Sequence, residues 1–254
     1  MKNKTVKFKS NVAFPKPQVL EKPLIIFIIL ASSVFIYAQE YDDEGDFNVV
    51  RTSDGNSVII TGYTGIKHSV NIPPQIRQLP VSGIGVEAFK KKHLTNITIP
   101  NSITLINIRA FEDNQLAEIN LPDSITVIGE YAFSGNLLTN VIIPDSVTII
   151  GEGAFSGNQL TSVTISSNVT SIESYTFSGN QLTNIIIPES VSSIGEGAFS
   201  GNQLTRIIIG SHVSFYTYYL FIDGFELGFD QFYRNIGQKS GTYIYRNGSW
   251  GEDW

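Results

Sequence analysis

The sequence contains no cysteine, one methionine, two tryptophans and three histidines in 254 residues. Without cysteine, neither a disulfide framework nor a thiolate metal site can form, although the absence names no compartment. His68, His93 and His212 fall on different repeat units at different repeat positions, which offers no imidazole cluster. Positive charge is scarce, with 17 Lys+Arg against 23 Asp+Glu for a net of −6. That balance disfavours nucleic acid, and an anionic bilayer, as charge-driven partners. No HExxH, GxSxG, Walker or GxGxxG motif occurs in a fitting context.

The one long apolar run, Leu24–Ala38, has 15 residues, fewer than the ~20 that span a bilayer as a helix. Lys2, Lys4, Lys7, Lys9, Lys16 and Lys22 precede it and Gln39-Glu40 follow. This is the pattern of a secretory signal cleaved after Ala38, and an uncleaved membrane anchor over 24–38 is the alternative. Removal of 1–38 takes six lysines and one glutamate and leaves a net charge of −11. A secreted or cell-surface protein without membrane insertion is expected.

What the chain has in abundance is a repeat. Phe89, Phe111, Phe133, Phe155, Phe177, Phe199 and Phe221 stand 22 residues apart. Strict spacing over seven units predicts a stacked solenoid, because one short unit cannot bury its own apolar face. In the unit from Leu138, Val141 and Ile143 flank Ile142 with strand period. The Pro144-Asp145-Ser146 corner is turn chemistry. Val147 and Ile150 predict a short strand or a 3₁₀-like turn. Glu152–Phe155 fits a single helical turn, and Ser156-Gly157-Asn158 closes the unit. Asn114, Asn136, Asn158, Asn180 and Asn202 share one position. They are expected to form a ladder that satisfies backbone groups.

The pattern L-x-x-I-x-I-P-x-S-V-x-x-I-G-x-x-A-F resembles the BspA-like, treponemal-type leucine-rich repeat of bacterial surface proteins. The resemblance covers residues 48–222, and GTYIYRNGSW is similar to the family's usual tail. It implies a leucine-rich-repeat solenoid with a parallel β-sheet on one face, short strands, 3₁₀ or single helical turns on the other, and caps at both ends. It also implies an exported or surface-exposed protein that recognises other macromolecules, often host proteins. Family members often carry Cys at the corner where this chain has Asn. The expected organisation is a signal peptide (1–38), an acidic linker (39–47), the repeat domain (48–222) and a C-terminal cap (223–254).

At the N-terminal end, VVRTS and SVIITGY read as a hairpin turning at Asp54-Gly55. Tyr41–Asp46 lacks EF-hand spacing and reads as a solvated linker rather than a calcium loop. At the other end, Phe229, Phe232, Tyr233 and Ile236 have the spacing of a short helix ending at Gly237, followed by a hairpin at Asn247-Gly248. In the last unit Tyr216 takes the place of the recurring Ile and is expected to point inward, while Phe215, Tyr218 and Tyr219 would contact the cap or, as the alternative, bind a ligand.

No catalytic residue, cofactor or metal site is expected. Carboxylates such as Asp123, Asp145, Glu130 and Glu152 recur because the repeat does, as equivalent solvated groups, and such groups do not make an acid/base pair. The candidate binding residues stand between the inward strand positions: Thr98, Asn120, Ile142, Thr164, Ile186 and Ile208, with Glu118 and Arg206 in the adjacent column. Isoleucines on a sheet face open to water form a recognition patch, while β-propensity alone explains the same residues. The functional expectation is a monomeric module that binds a protein partner through a concave sheet, as in surface adhesion. The alternative is a structural spacer or surface-layer component. Lys90-Lys91-Lys92-His93 is a further candidate contact for an acidic partner, or a solvated corner.

Overall fold

The computed structural model describes residues 40–216 and 228–253. Tyr218, Tyr219, Phe221 and the apolar run at 24–38 lie outside them. Each 22-residue unit is one rung with three sides. The first side carries the Leu-x-x-Ile-x-Ile segment as a strand at Asn96–Thr98, Asn140–Ile142, Ser162–Thr164, Asn184–Ile186 and Arg206–Ile209. Two pairs of neighbours bond in parallel in the repeat register, Val141 with Val163 and Ile185 with Ile207.

Proline turns the chain out of this side. The carbonyl of Pro144 accepts from Val147 N at 3.0 Å, and Pro100, Pro122 and Pro188 repeat the bond with Ile103, Ile125 and Val191. Proline suits this corner because it has no N–H to lose from a ladder. The second side is a short strand, at Leu105–Ile106, Val127–Ile128, Ile149–Ile150, Ser171–Ile172, Ser193–Ile194 and Ser214–Phe215. This resolves the choice that the Val147–Ile150 spacing left open.

The third side is a run of β-turns rather than the expected helical turn. Ala154 N donates to Gly151 O at 3.2 Å and Ser156 N to Gly153 O at 3.0 Å. Between these bonds Gly153 N and Phe155 N reach Ser174 O and Thr176 O of the next rung, both at 2.9 Å. A φ of +59° at Gly153 takes the chain out of the helical region, and Glu87, Arg109, Tyr131 and Tyr175 adopt the same left-handed conformation in their rungs. At Gly151 the constraint is distance, since a Cβ there would lie 2.5 Å from Glu130 N of the preceding rung.

The three sides enclose one continuous core. Phe89, Phe111, Phe133, Phe155, Phe177 and Phe199 are fully buried and stack with ring centroids 5.2–5.8 Å apart. Beside them runs the asparagine ladder. Asn158 donates to Phe133 O at 2.9 Å and Phe155 O at 3.0 Å and accepts from Leu138 N at 3.1 Å. Asn114, Asn136, Asn180 and Asn202 repeat the arrangement. Each amide therefore satisfies corner groups of two rungs that no strand ladder reaches.

Both ends of the stack are covered. The hairpin Phe47–Arg51 with Val58–Tyr63 lays Tyr63 on Phe89, with centroids 5.5 Å apart. The acidic segment before it differs from the expected solvated linker. Asp42 is buried, accepts from Asn71 N at 2.7 Å and pairs with Lys67, while residues Glu44–Asp46 form one 3₁₀ turn. The segment is docked because Asp42 supplies an acceptor to the otherwise unpaired edge of the strand Ser69–Asn71. At the far end, the helix Phe229–Asn235 buries Phe229 and Tyr233, and the strand Gly241–Arg246 pairs antiparallel onto Arg206–Ile209. The hairpin turns at Asn247-Gly248, both with positive φ.

The last rung departs from the expected register. Ile194 pairs with Phe215, 21 residues on, because Val191 and Ile194 have two residues between them whereas Val213 and Phe215 have one. Phe215 takes the inward position against Phe229 and Tyr233, and Tyr216 is turned out, 61% exposed. The expectation that Tyr216 packs inward is thereby overturned.

Candidate functional site

Strand alternation builds the surface of the first side. Val141, Ile143, Ile185 and Ile187 are buried at 1–2% exposure, so the residues between them must face out. Ile142 and Ile186 are 61% and 60% exposed, and Asn120 and Thr164 are exposed beside them. Ile142 stands directly opposite Thr164, and Ile186 opposite Ile208. Thr98 and Ile208, at the two ends of the strip, are half-buried. Thr98 donates to Asn71 Oδ1 at 2.7 Å, and Ile208 lies beside Thr242 of the capping strand. Arg206 is exposed and lies 3.9 Å from Asp253, so the cap neutralises part of its charge. Glu118 is exposed.

The strip is not one unbroken sheet. The strands Ser162–Thr164 and Asn184–Ile186 are unpaired with each other, and the rung Leu116–Leu121 is the one among the described rungs from 94 to 209 with no strand on this side. Its sequence explains why. Thr95, Thr161 and Thr205 donate their hydroxyls to the preceding rung at 3.2–3.3 Å, and the equivalent Ala117 cannot. Asn120 is a poor strand residue where the other rungs carry Thr or Ile. A groove of about 490 Å³ opens there, lined from three rungs by Asn96, Thr98, Glu118, Asn120, Asn140 and Ile142 among others. It also reaches Ile119, which is less buried than Ile97 or Val141 at the same repeat position. Sequence reading named most of these residues individually, but not the groove, because a missing strand leaves no periodic signal.

Electrostatics concentrate on the turn side near the N-terminal end. The Lys90 ammonium lies 2.6 Å from Glu112 and 3.1 Å from Glu87, and these hydrogen bonds push its pKa up. Lys91 lies 3.6 Å from Asp113. The lysine corner is therefore largely paired within the chain. Arg109 sits 5.6 Å from the Tyr131 ring centroid, and the Tyr131 hydroxyl donates to Glu152, a bond that pushes its pKa up to about 12. Glu152 is accordingly not one of a row of free, solvated carboxylates. His68 and His93 are brought together as well, with ring centroids 6.5 Å apart, because the first unit is longer than the repeat and shifts their positions. Among the described residues no group of three or more His, Asp or Glu is placed to hold a metal ion, and no helix is long and apolar enough to cross a membrane.

Comparison with known proteins finds the same repeat in other chains. The BspA type leucine rich repeat region matches in six copies over residues 82–205. A leucine rich cell surface protein from Faecalibacterium prausnitzii A2-165 is 30% identical, over 66% of this chain and 54% of its own, with a TM-score of 0.51. The present chain thus spans about half the length of that protein. The T. pallidum leucine rich repeat protein is 25% identical, over 69% of this chain and 86% of its own, with a TM-score of 0.49. The pneumococcal vaccine antigen PcpA shares the fold at 20% identity, over 65% of this chain and 50% of its own, with a TM-score of 0.53. No curated protein matches the chain.

Proposed function

Residues 82–205 being BspA-type leucine-rich repeats, we propose that the chain is an exported, surface-exposed module that binds a protein partner through the strip on its first side. The observation that carries this reading is the exposure of Ile142 and Ile186 on a face whose flanking positions are almost wholly buried. Covering such side chains favours association by ~1.5–3 kcal/mol each when burial is complete. Glu118 and Arg206 in the adjacent column would orient the partner by charge and reject wrong ones. Adhesion to a host or neighbouring-cell protein is the use we infer. Cleavage after Ala38, a secreted or cell-surface location and a monomeric state belong to the same proposal. So does the division into a signal at 1–38, a repeat domain at 48–222 and a cap at 223–254.

The near-identical SGNQ corners at 156–159, 178–181 and 200–203 show little tailoring and would suit a spacer. The asparagines of those corners are committed to internal hydrogen bonds, so their sameness reflects folding and does not argue against a ligand elsewhere. The test is a triple variant, Ile142→Thr with Ile186→Thr and Ile208→Thr. Thr keeps the β-branched shape, so thermal unfolding should change little. Capture of surface proteins by the purified domain, read by mass spectrometry against the wild type, should lose its specific partner. Full retention of that partner by a folded triple variant would sink the strip as the site.

A further inference from the structure

We propose that the groove at the interrupted rung binds an extended peptide segment that carries a lysine or arginine. The inference deepens the protein-recognition reading and rests on it. Three observations converge on this place. First, the strands Asn96–Thr98 and Asn140–Ile142 each pair on one side only, with Ser69–Asn71 and Ser162–Thr164 respectively. Their other edges face the rung that forms no strand. Strand edges left unpaired present alternating N–H and C=O groups and are templates for another chain. Second, residues 118–120 make no backbone hydrogen bond to either neighbouring rung, and the nearest link is a long 3.4 Å contact from Thr139 N to Ala117 O. A ligand that fits this edge must offer donors and acceptors in a row at strand spacing, and a polypeptide main chain does so. Third, Glu118 is the one charged residue lining the groove, and it is exposed. With a chain of net charge −6, it selects a basic side chain over an acidic one. Ile142 supplies an apolar wall on one side of the groove and Asn96, Asn120 and Asn140 supply amides that can bond either peptide group.

The same reasoning says how to close the site. Ala117→Thr restores the hydroxyl that bonds the preceding rung, and Asn120→Thr restores strand propensity, so the double variant should knit the three rungs into one sheet. The probe is a fluorescein-labelled acetyl-KTKTKT-amide hexapeptide titrated into the full chain and read by anisotropy. Comparison peptides are ETETET and KTKTKT with alternate backbone nitrogens methylated. The basic peptide should bind saturably and at least ~10-fold more tightly than the acidic one. Backbone methylation should weaken it by a similar factor, because it removes main-chain donors. Glu118→Gln, which leaves the fold untouched, should abolish most of the preference for the basic peptide. The closed Ala117→Thr/Asn120→Thr variant, shown folded by circular dichroism, should lose binding altogether.

Equal binding of acidic and basic peptides, indifference to methylation, or unchanged binding by the closed variant would each overturn the proposal. So would saturable binding of a neutral hexasaccharide with no binding of the peptide. Ile186→Thr/Ile208→Thr alters the strip outside the groove and should leave peptide binding unchanged. A captured partner lost with that pair but kept by the closed variant would uphold the strip and reject the groove, so the two readings fail separately.

Discussion

Phe155→Ala should lower the free energy of unfolding by ~3–5 kcal/mol, the largest effect expected of any single side-chain truncation in the repeats. Phe155 is fully buried at the middle of the stack, with Phe133 at 5.4 Å and Phe177 at 5.8 Å, both nearly parallel to it. Truncation removes transfer energy and leaves a cavity. The rungs on either side are tied by backbone bonds from Phe133 N to Ala154 O and from Phe155 N to Thr176 O, so the stack cannot close over the void. Because each rung contacts only its neighbours, weakening one interface lowers the cooperativity that joins the two halves. Urea unfolding followed by far-UV circular dichroism should show the loss as a lower midpoint. A midpoint unchanged within ~0.5 kcal/mol would mean that the column is not the core of the fold.

Asn158→Ala should cost ~1–3 kcal/mol, for a different reason. The side chain is buried and joins Phe133 O, Phe155 O and Leu138 N. Its removal orphans the buried Leu138 N–H, at ~1–3 kcal/mol, while Phe133 O and Phe155 O keep the bonds they accept from Asn136 and Asn180. Asn158→Asp separates hydrogen bonding from packing. A carboxylate keeps the acceptor for Leu138 N but loses both donors and buries a charge, so the folded state raises that group's pKa above the unfolded value. Stability lost at neutral pH should then return in part as pH falls, when the protonated acid can donate one bond. Urea midpoints at pH 7 and pH 4 check this. A deficit that does not shrink at low pH would show that shape, not hydrogen bonding, fixes the asparagine.

The repeat made most of the fold legible, since a phenylalanine every 22 residues can be buried in one way only, by stacking. Asparagine at one corner in five rungs likewise pointed to backbone satisfaction, which is what its amide does. Features that break period were harder to read. Glu152–Phe155 has helix-compatible residues, yet the third side must also bond the next rung, and that demand selects turns with a left-handed residue. Tyr216 was misplaced because one residue is missing between Val213 and Phe215, and counting by 22 carried the register across the gap. Asp42 looked solvated because acidity was weighed without the strand edge it caps. For the candidate site, alternation fixed which residues face out, while the groove followed from what Ala117 and Asn120 fail to do. Failure to pair is a property of three rungs together and is not written in any one of them.

The central claim is that Ile142 and its equivalents face solvent while their neighbours fill the core. The absence of cysteine makes this directly measurable. Ile142→Cys and Ile143→Cys, prepared separately, each carry a single thiol, and their rates of reaction with a maleimide can be compared under native conditions and in urea. The account predicts that Ile142→Cys reacts natively within a few-fold of its unfolded rate. Ile143→Cys should be protected by a factor on the order of 100 or more, because its exposure requires opening of the rung. Equal native rates at the two positions, or protection of Ile142→Cys instead, would contradict the strand register and with it the recognition face.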